Sequence, residues 1–362
     1  MLTRNRFLTL GLTIGLAMLL VLSIGPGRGE AGQVGSTYKV LAPISHGNLT
    51  VFPVVADRTH DTRNFLTLDE GVRSGEVVVS EAGSVRPLIR RRQDYIPRDG
   101  AEVNRLVLVN NSDRPLILLA GEIVTGGKQD RVVGKDRIVP PKSDPIDLAV
   151  FCVEPGRWVA TQYEFGSFHS QMAQPSVRRS AMADQDQQKV WAEVGAAKES
   201  MAMRAAPTAA PALAGTSSYA RVMDNDDVKQ RVDAVAVPIE QSYLGLMREL
   251  RERNAVGVVV AVNGRMIWAD LFASTALLEK YWPKLIRSYA AEALTQGRNS
   301  GRPDLKDAQA FLDDFGARHE TEETEPGVFR RTELTGSDFT AFALTSLLPG
   351  TGFEVHIAKM VD

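Results

Sequence analysis

The first half of the chain consists of short apolar runs separated by turn residues. Residues 106–109 and 116–119 are continuously apolar, which is typical of strands buried on both faces. The polar residues 110–114 between them favour a turn, so the two runs predict a β-hairpin. Further β-rich runs cover residues 49–55, 76–80 and 146–153. Residues 38–165 are therefore predicted to form an antiparallel lobe, either β-sandwich-like or a partly open barrel.

The second half alternates helical and strand periodicity. Ile239, Tyr243 and Leu246 recur at helical spacing after Pro238, which is predicted to separate two helical segments. Asn263-Gly264 favours a type I′ turn and predicts the strongest hairpin of the chain. Residues 274–296 form a second helical stretch, residues 320–325 an acidic loop, and residues 328–334, 339–347 and 353–359 three strand-like runs. Residues 224–362 are therefore predicted to be a helix-covered antiparallel sheet, and the fold class is α+β.

The segment between the two predicted lobes, residues 166–223, has a different composition. Residues 185–194 predict a short helix, and residues 196–218 are rich in Ala, Pro, Ser and Thr. Such a segment buries little apolar surface to offset the entropy of ordering it. We therefore expect a mobile linker over residues 196–218, where a protease should cut first.

The amino terminus has the three parts of a secretory signal peptide. Arg4 and Arg6 precede residues 7–24, which carry no charge, and Gly29 and Ala31 provide small residues for cleavage. Residues 1–31 are predicted to be removed, which makes the mature protein periplasmic or secreted. The alternative is an uncleaved anchor facing outward, since an apolar run of about 18 residues can just span a bilayer. A membrane is expected as a partner only in that case.

Composition excludes several classes of protein. The 42 basic and 44 acidic side chains give a net charge of −2, so a dedicated nucleic-acid binder is not expected. One cysteine excludes an internal disulfide framework and a cysteine-based metal cage. The five histidines are scattered and never spaced four residues apart, so no metal site is predicted, and the sequence assigns no cofactor.

Two polar stretches at the ends of predicted strands are the best candidates for a ligand site. In the first stretch, two glycines allow backbone conformations in which the N–H groups point at a ligand. Cationic side chains follow these glycines in the sequence. In the second, a cysteine and a glutamate share one face of a strand that turns into an Arg-Trp pair. Such residues suit a phosphate- or carboxylate-bearing ligand, with the indole as a stacking surface. The predicted ligand-binding residues are Glu122, Gly126, Gly127, Lys128, Gln129, Arg131, Cys152, Glu154, Arg157 and Trp158.

Structural roles for the same residues are an open alternative. Gly126-Gly127 can simply build a tight turn, and Glu122 can pair with Arg131 or Arg157 at a sheet end. A buried Cys152 most often behaves as a small hydrophobe. Elsewhere, His356 is expected at the surface, because it alternates with the apolar residues of its predicted strand.

The same stretches resemble an uncharacterised bacterial family, the ADP-ribosylglycohydrolase- and rhodanese-phosphatase-superfamily-associated domain. The matching residues run from Gly121-Glu122 to Arg131 and from Cys152 to Trp158, with a further block that includes Asn263-Gly264. The resemblance covers roughly residue 38 to the end. It implies an association with ADP-ribose and phosphate-ester metabolism, and it supplies no catalytic residues.

Three functional hypotheses follow. The first is an exported protein that binds an anionic small molecule, such as a nucleotide or ADP-ribose. The second is a hydrolase of a phosphoester or glycosidic bond that uses Glu122 and Glu154 as acid and base. The third is a structural envelope protein. The sequence does not identify the ligand, the catalytic residues or the oligomeric state.

Overall fold

A computed structural model describes residues 38–81, 104–156, 164–166, 171–250, 254–297 and 301–362. Antiparallel sheets and packed helices give an α+β fold, as predicted. The strands are β1 Tyr38–Val40, β2 Ile44–His46, β3 Leu49–Ala56, β4 Leu66–Thr67, β5 Val77–Glu81, β6 Arg105–Asn110, β7 Leu116–Leu118, β8 Ile123–Gly126, β9 Arg131–Val133, β10 Arg137–Val139, β11 Ile146–Cys152, β12 Glu164–Gly166, β13 Ala255–Val262, β14 Arg265–Phe272, β15 His319–Glu325, β16 Phe329–Thr335, β17 Phe339–Ser346 and β18 Glu354–Val361. The α-helices are α1 Leu68–Ser74, α2 Pro175–Arg179, α3 Gln187–Arg204, α4 Ala210–Gly215, α5 Tyr219–Asp224, α6 Asp226–Glu249, α7 Thr275–Thr295 and α8 Leu305–Asp313, with a π-helical turn at Ser180–Asp184.

A nine-stranded antiparallel sheet is the largest layer of the described fold. Its order is β1-β3-β13-β14-β18-β17-β16-β15, and β2 pairs with β3. The predicted hairpin at its centre is confirmed: Asn263 and Gly264 have φ angles of 54° and 82°, the sign that a type I′ turn requires. Strand β15 covers the region predicted to be an acidic loop, where Glu323 lies opposite Arg331 of β16. Cross-strand pairs of opposite charge stabilise such an edge.

Strands β1, β2 and β3 do not belong to the lobe predicted for residues 38–165. Phe52 in β3 lies opposite Val259 in β13, so residues 38–56 extend the large sheet. The remaining strands of the first half form a closed barrel in the order β11-β6-β5-β12-β8-β9 and a small sheet β10-β7-β4. Apolar side chains such as Val79, Leu108 and Val150 fill the barrel. The prediction of β-rich structure is thus confirmed, and the lobe boundary differs because β3 pairs far along the chain.

Helices α6 and α7 cover one face of the large sheet, and α8 packs on the other. Pro238 does not divide α6, and Pro283 does not divide α7. Buried residues on both sides of Pro238, such as Val232 and Tyr243, pack into the same core, which offsets the hydrogen bond that proline removes. No helix in the described part of the chain has both the length and the apolar character needed to cross a membrane.

The segment predicted as a linker is largely helical. Helix α3 continues to Arg204, and α4 and α5 follow it. Ala197, Met201 and Leu213 are buried against the barrel and the helical layer. The sequence prediction differs because these few apolar contacts are long-range, and composition does not reveal them. The signal segment, residues 1–31, lies outside the described residues.

Candidate functional site

The first predicted stretch begins with a tight turn after β7. The N–H of Glu122 donates to the Leu119 carbonyl at 3.2 Å, and the Leu119 N–H donates to the Glu122 carboxylate at 2.7 Å. Gly121 has a φ of +97°, and a Cβ there would lie 2.5 Å from Cγ of Arg178. Glycine is therefore required both by the backbone conformation and by close packing.

The Glu122 carboxylate is buried and bound to a lysine of α7. Nζ of Lys284 lies 2.5 Å from Glu122 and 2.6 Å from Asp69 of α1. Burial raises the pKa of Glu122, against the opposing effect of the ammonium group. Burial alone would lower the pKa of Lys284, but attraction by Glu122 and Asp69 outweighs it and raises this pKa. Lys284 is therefore a cation that joins the turn after β7 to α1 and α7.

The glycine turn between β8 and β9 directs its N–H groups at protein acceptors. The N–H of Lys128 donates to Glu81 at 2.8 Å, and the N–H of Gly126 donates to Asp130 at 3.1 Å. A Cβ on Gly127, whose φ is +48°, would overlap the ring of Phe165. The prediction that these N–H groups face a ligand therefore has no geometric support at Gly126 and Lys128.

Four other predicted residues do meet at the end of the barrel. Arg131 lies opposite Cys152 in the pairing of β9 with β11. The Gln129 amide donates to the Glu154 carbonyl at 3.1 Å, and the Glu154 carboxylate accepts the N–H of Asp130 at 3.0 Å. All of these residues are buried. Arg157 and Trp158 lie outside the described residues, so their place beside this group stays a prediction.

The proposed acid–base role of Glu122 and Glu154 lacks support from the geometry. Glu122 is held by Lys284, whereas Glu154 is held by the Asp130 N–H, so the two carboxylates have separate partners. Burial raises the pKa of the Cys152 thiol, which favours the thiol over the nucleophilic thiolate. These contacts support the structural alternative for the residues that the structure describes.

Sequence analysis missed a second group of buried charges, which we call the Asp270 cluster. It comprises Asp136, Arg178, Asp270, Tyr289 and His356. Arg178 binds Asp270 through two hydrogen bonds of 2.9 and 3.1 Å, and the Tyr289 hydroxyl donates to the same carboxylate. His356 bridges two carboxylates, with Nδ1 2.6 Å from Asp136 and Nε2 3.0 Å from Asp270. The cluster connects the β9–β10 loop, α2, α7 and the centre of the large sheet.

The charges of the Asp270 cluster stabilise one another. Burial alone would lower the pKa of His356, but Asp136 and Asp270 outweigh it and raise the pKa to about 9. Burial alone would raise the pKa of Asp270, but the positive charges of Arg178 and His356 outweigh this effect and lower the pKa well below its usual range. With a pKa of about 9, His356 is an imidazolium at neutral pH, and its two ring nitrogens can both donate to the carboxylates beside them. Two carboxylates thus balance two cations.

The expected exposure of His356 is wrong, and the reason lies in the layers. Strand β18 is buried on both faces because α8 covers one and α7 with the β7–β10 region covers the other. Ile357 packs in the interior that contains α8, and the preceding residue His356 therefore faces the other interior, where its ring contacts Phe272. Asp270, the one acidic residue of strand β14 and flanked there by apolar residues, was the sequence signal for this cluster.

Two cavities lie beside the helical layer. One of about 520 Å³, the basic cavity, is bounded by the β2–β3 turn, α6 and the ends of α3 and α7. Its polar lining side chains are His46, Asn48, Arg204 and Arg231. The other, of about 240 Å³, is the α6–α7 cleft, and Lys284 forms part of its wall. Within the described ranges, no three His, Cys, Asp or Glu residues are grouped as a metal site would require.

The family model of the ARG and Rhodanese-Phosphatase-superfamily-associated Protein domain, ARPP-1, matches residues 37–359. The chain belongs to the ARPP-1 family. The suspected family is thereby confirmed, and the match shows that both halves of the molecule are parts of one domain of this family. Comparisons with curated proteins and with solved structures gave no match.

One of the stretches that resemble the ARPP-1 family lies between the two groups of buried charges. The Gly121-Glu122 turn lies between the Asp270 cluster and Lys284, because the Ala120 N–H donates to Asp136 at 2.7 Å and its carbonyl accepts from Arg178 at 3.3 Å. The turn is therefore where the barrel, α7 and the large sheet meet. Neither this turn nor the β8–β9 turn opens into the basic cavity.

Proposed function

We propose that this ARPP-1 protein is exported and binds an anionic, nucleotide- or ADP-ribose-like small molecule in the basic cavity. The supporting observation is the composition of the cavity wall. Among the lining residues that the structure describes, His46, Arg204 and Arg231 are basic or ionisable to a cation, and none is a carboxylate. A positive concave surface raises the local concentration of an anion.

Both arginines retain hydrogen-bond donors for a ligand. Arg231 meets Asp227 through Nε at 2.9 Å, and Arg204 uses Nη1 to bind the Leu294 and Gln296 carbonyls at the end of α7. A guanidinium has five N–H donors, so the remaining ones can bind phosphate or carboxylate oxygens.

The size and the apolar part of the wall favour a ligand larger than a simple anion. The volume of about 520 Å³ lies within the range of about 300–1,000 Å³ that is usual for small-molecule sites. Ala234, Val235 and Leu294 supply an apolar surface beside the arginines. This combination suits a phosphate attached to a base or sugar, and the family name, with its reference to ARG, is consistent with ADP-ribose.

Binding is tested by thermal unfolding of the mature protein, residues 32–362, with ADP-ribose, AMP, adenosine and inorganic phosphate. A ligand at 100 times its Kd should stabilise the protein by about 2.7 kcal/mol. We expect ADP-ribose and AMP to raise the midpoint more than adenosine. Arg231→Ala should abolish most of this increase, and Arg248→Ala, an exposed position on the same helix, should preserve it. Equal ligand-induced shifts in both variants would exclude the basic cavity as the site.

Export is a separate part of the proposal and has its own test. Intact-mass measurement of the protein in membrane and soluble envelope fractions should find a chain that begins at Gly32. A full-length chain found in the membrane fraction alone would instead support an uncleaved, outward-facing anchor.

A further inference from the structure

We propose that the α6–α7 cleft is a second ligand site, which takes a small apolar molecule carrying an amine or another hydrogen-bond donor. This site is independent of the basic cavity and differs from it in charge, size and wall. Met172, Met223 and Val232 form its apolar side. Methionine side chains adapt to ligands of irregular shape and contact aromatic rings favourably.

Charge around the cleft disfavours an anion, although three cations line it. Each cation is already bound to carboxylates: Lys229 to Asp224, Arg287 to Asp233 and Glu240, and Lys284 to Asp69 and Glu122. Five carboxylates therefore surround three cations. Each cation in the wall is therefore already compensated by a carboxylate, and one of these carboxylates, Asp233, lies in the wall itself, so the cleft offers an anion no uncompensated positive charge.

The wall also presents acceptors that lack a donor. Oε1 of Gln171 is buried without a hydrogen-bond partner among the described residues. Its amide orientation is set by the Nε2 group, which donates to the Ala220 carbonyl at 3.4 Å. The Ser288 hydroxyl donates to the Ala173 carbonyl at 2.6 Å, which leaves its oxygen as an acceptor. A ligand with N–H or O–H groups would satisfy these atoms, whereas a carboxylate would not.

The volume limits the ligand to a small molecule. About 240 Å³ is less than half the volume of the basic cavity and lies below the range of about 300–1,000 Å³ that is usual for drug-sized ligands. A molecule of the size of phenylethylamine is therefore favoured over a nucleotide.

Three probes of similar shape test the charge argument: 2-phenylethylamine, 2-phenylethanol and 3-phenylpropanoate, titrated into the mature protein and followed by ligand-observed NMR. We expect the amine to bind best, the alcohol more weakly, and the carboxylate at least about tenfold more weakly than the amine. Equal or tighter binding of the carboxylate would overturn the proposal, as would no binding of the amine at 10 mM, a concentration chosen for weak ligands of this size.

Variants then locate the binding. Gln171→Leu removes the unpartnered acceptor, Asp233→Asn removes a rim charge, and Met223→Trp fills the cleft. Each should weaken amine binding severalfold or more, and Met223→Trp should do so without loss of the folded state, as measured by circular dichroism. Arg248→Ala, at an exposed position of α6 outside the cleft, is the matched control and should leave amine binding unchanged. Amine binding that survives all three cleft variants would overturn the assignment, and that result would leave the proposed anion site unaffected.

Discussion

Replacing His356 by glutamine should destabilise the protein in a strongly pH-dependent way. The imidazolium bridges Asp136 and Asp270 in a fully buried setting, where Arg178 is the other cation and Tyr289 donates to Asp270. Removing the imidazolium leaves two buried carboxylates with one cation. Loss of one partner from a buried charge pair costs about 3–5 kcal/mol, and we expect that loss near pH 6.

The pH dependence follows from the pKa of His356. It is about 9 in the folded protein and 6.5 in a model compound, a difference worth about 3 kcal/mol. Because the folded pKa is the higher one, this stabilisation is fully present below pH 6.5. It is lost as the pH rises from 6.5 through about 9. The difference in unfolding free energy between wild type and H356Q should therefore shrink by about 3 kcal/mol between pH 6 and pH 10.

Urea unfolding of both proteins at several pH values between 6 and 10 measures this difference. Burial lowers the pKa of Lys359 to about 8, so its contribution to stability changes with pH in the opposite direction. Lys359 is present in both proteins, and its contribution therefore cancels when the two unfolding free energies are subtracted. His319→Gln, at an exposed position in β15, is the matched control and should leave the curve unchanged. Parallel curves for wild type and H356Q would show that His356 is neutral in the folded state and refute the reasoning.

Three further substitutions test the packing around the candidate site. Gly121→Ala should cost about 2–4 kcal/mol of stability, from the strained φ and the overlap with Arg178, as measured by urea unfolding. Lys284→Met should cost about 3–5 kcal/mol at pH 7 and less at pH 4, where Glu122, whose pKa is raised by burial, is protonated; an equal loss at both pH values would contradict the ion-pair assignment. Tyr243→Phe should cost about 1 kcal/mol, because its buried hydroxyl donates to the Gly257 carbonyl at 2.7 Å, and a loss below the error of the measurement would contradict that bond.

Local patterns in the sequence predicted the parts of the fold that depend on local chemistry. The Asn263-Gly264 hairpin was predicted because two residues with positive φ select one turn type. Helix α7 was predicted from apolar residues such as Trp282 and Tyr289, which face the core at helical spacing. The α+β class follows from these elements together.

Local sequence patterns did not predict which strands pair when they are far apart along the chain. Nothing near Phe52 indicates that β3 pairs with β13 rather than with a strand of the barrel, since both settings bury both faces. Helix α3 was predicted too short for a related reason. Its buried residues Ala197 and Met201 are small or flexible, and their contacts come from distant elements. Tertiary packing, rather than propensity, decides such segments.

Charged residues in glycine-containing turns at strand ends are an ambiguous signal, and this molecule shows why. Glu122 follows a buried strand, as ligand-binding residues often do, yet the same position lets its carboxylate join the turn after β7 to α7 through Lys284. What separates the two roles is whether each polar group already has a partner, and sequence does not contain that information.

The arginines of the basic cavity illustrate the reverse case. Arg204 and Arg231 come from helix positions with no motif around them, and only packing brings them to a wall without a described carboxylate. A search for function in this family should therefore begin from polar groups with unused hydrogen-bonding capacity rather than from the most polar stretch of sequence.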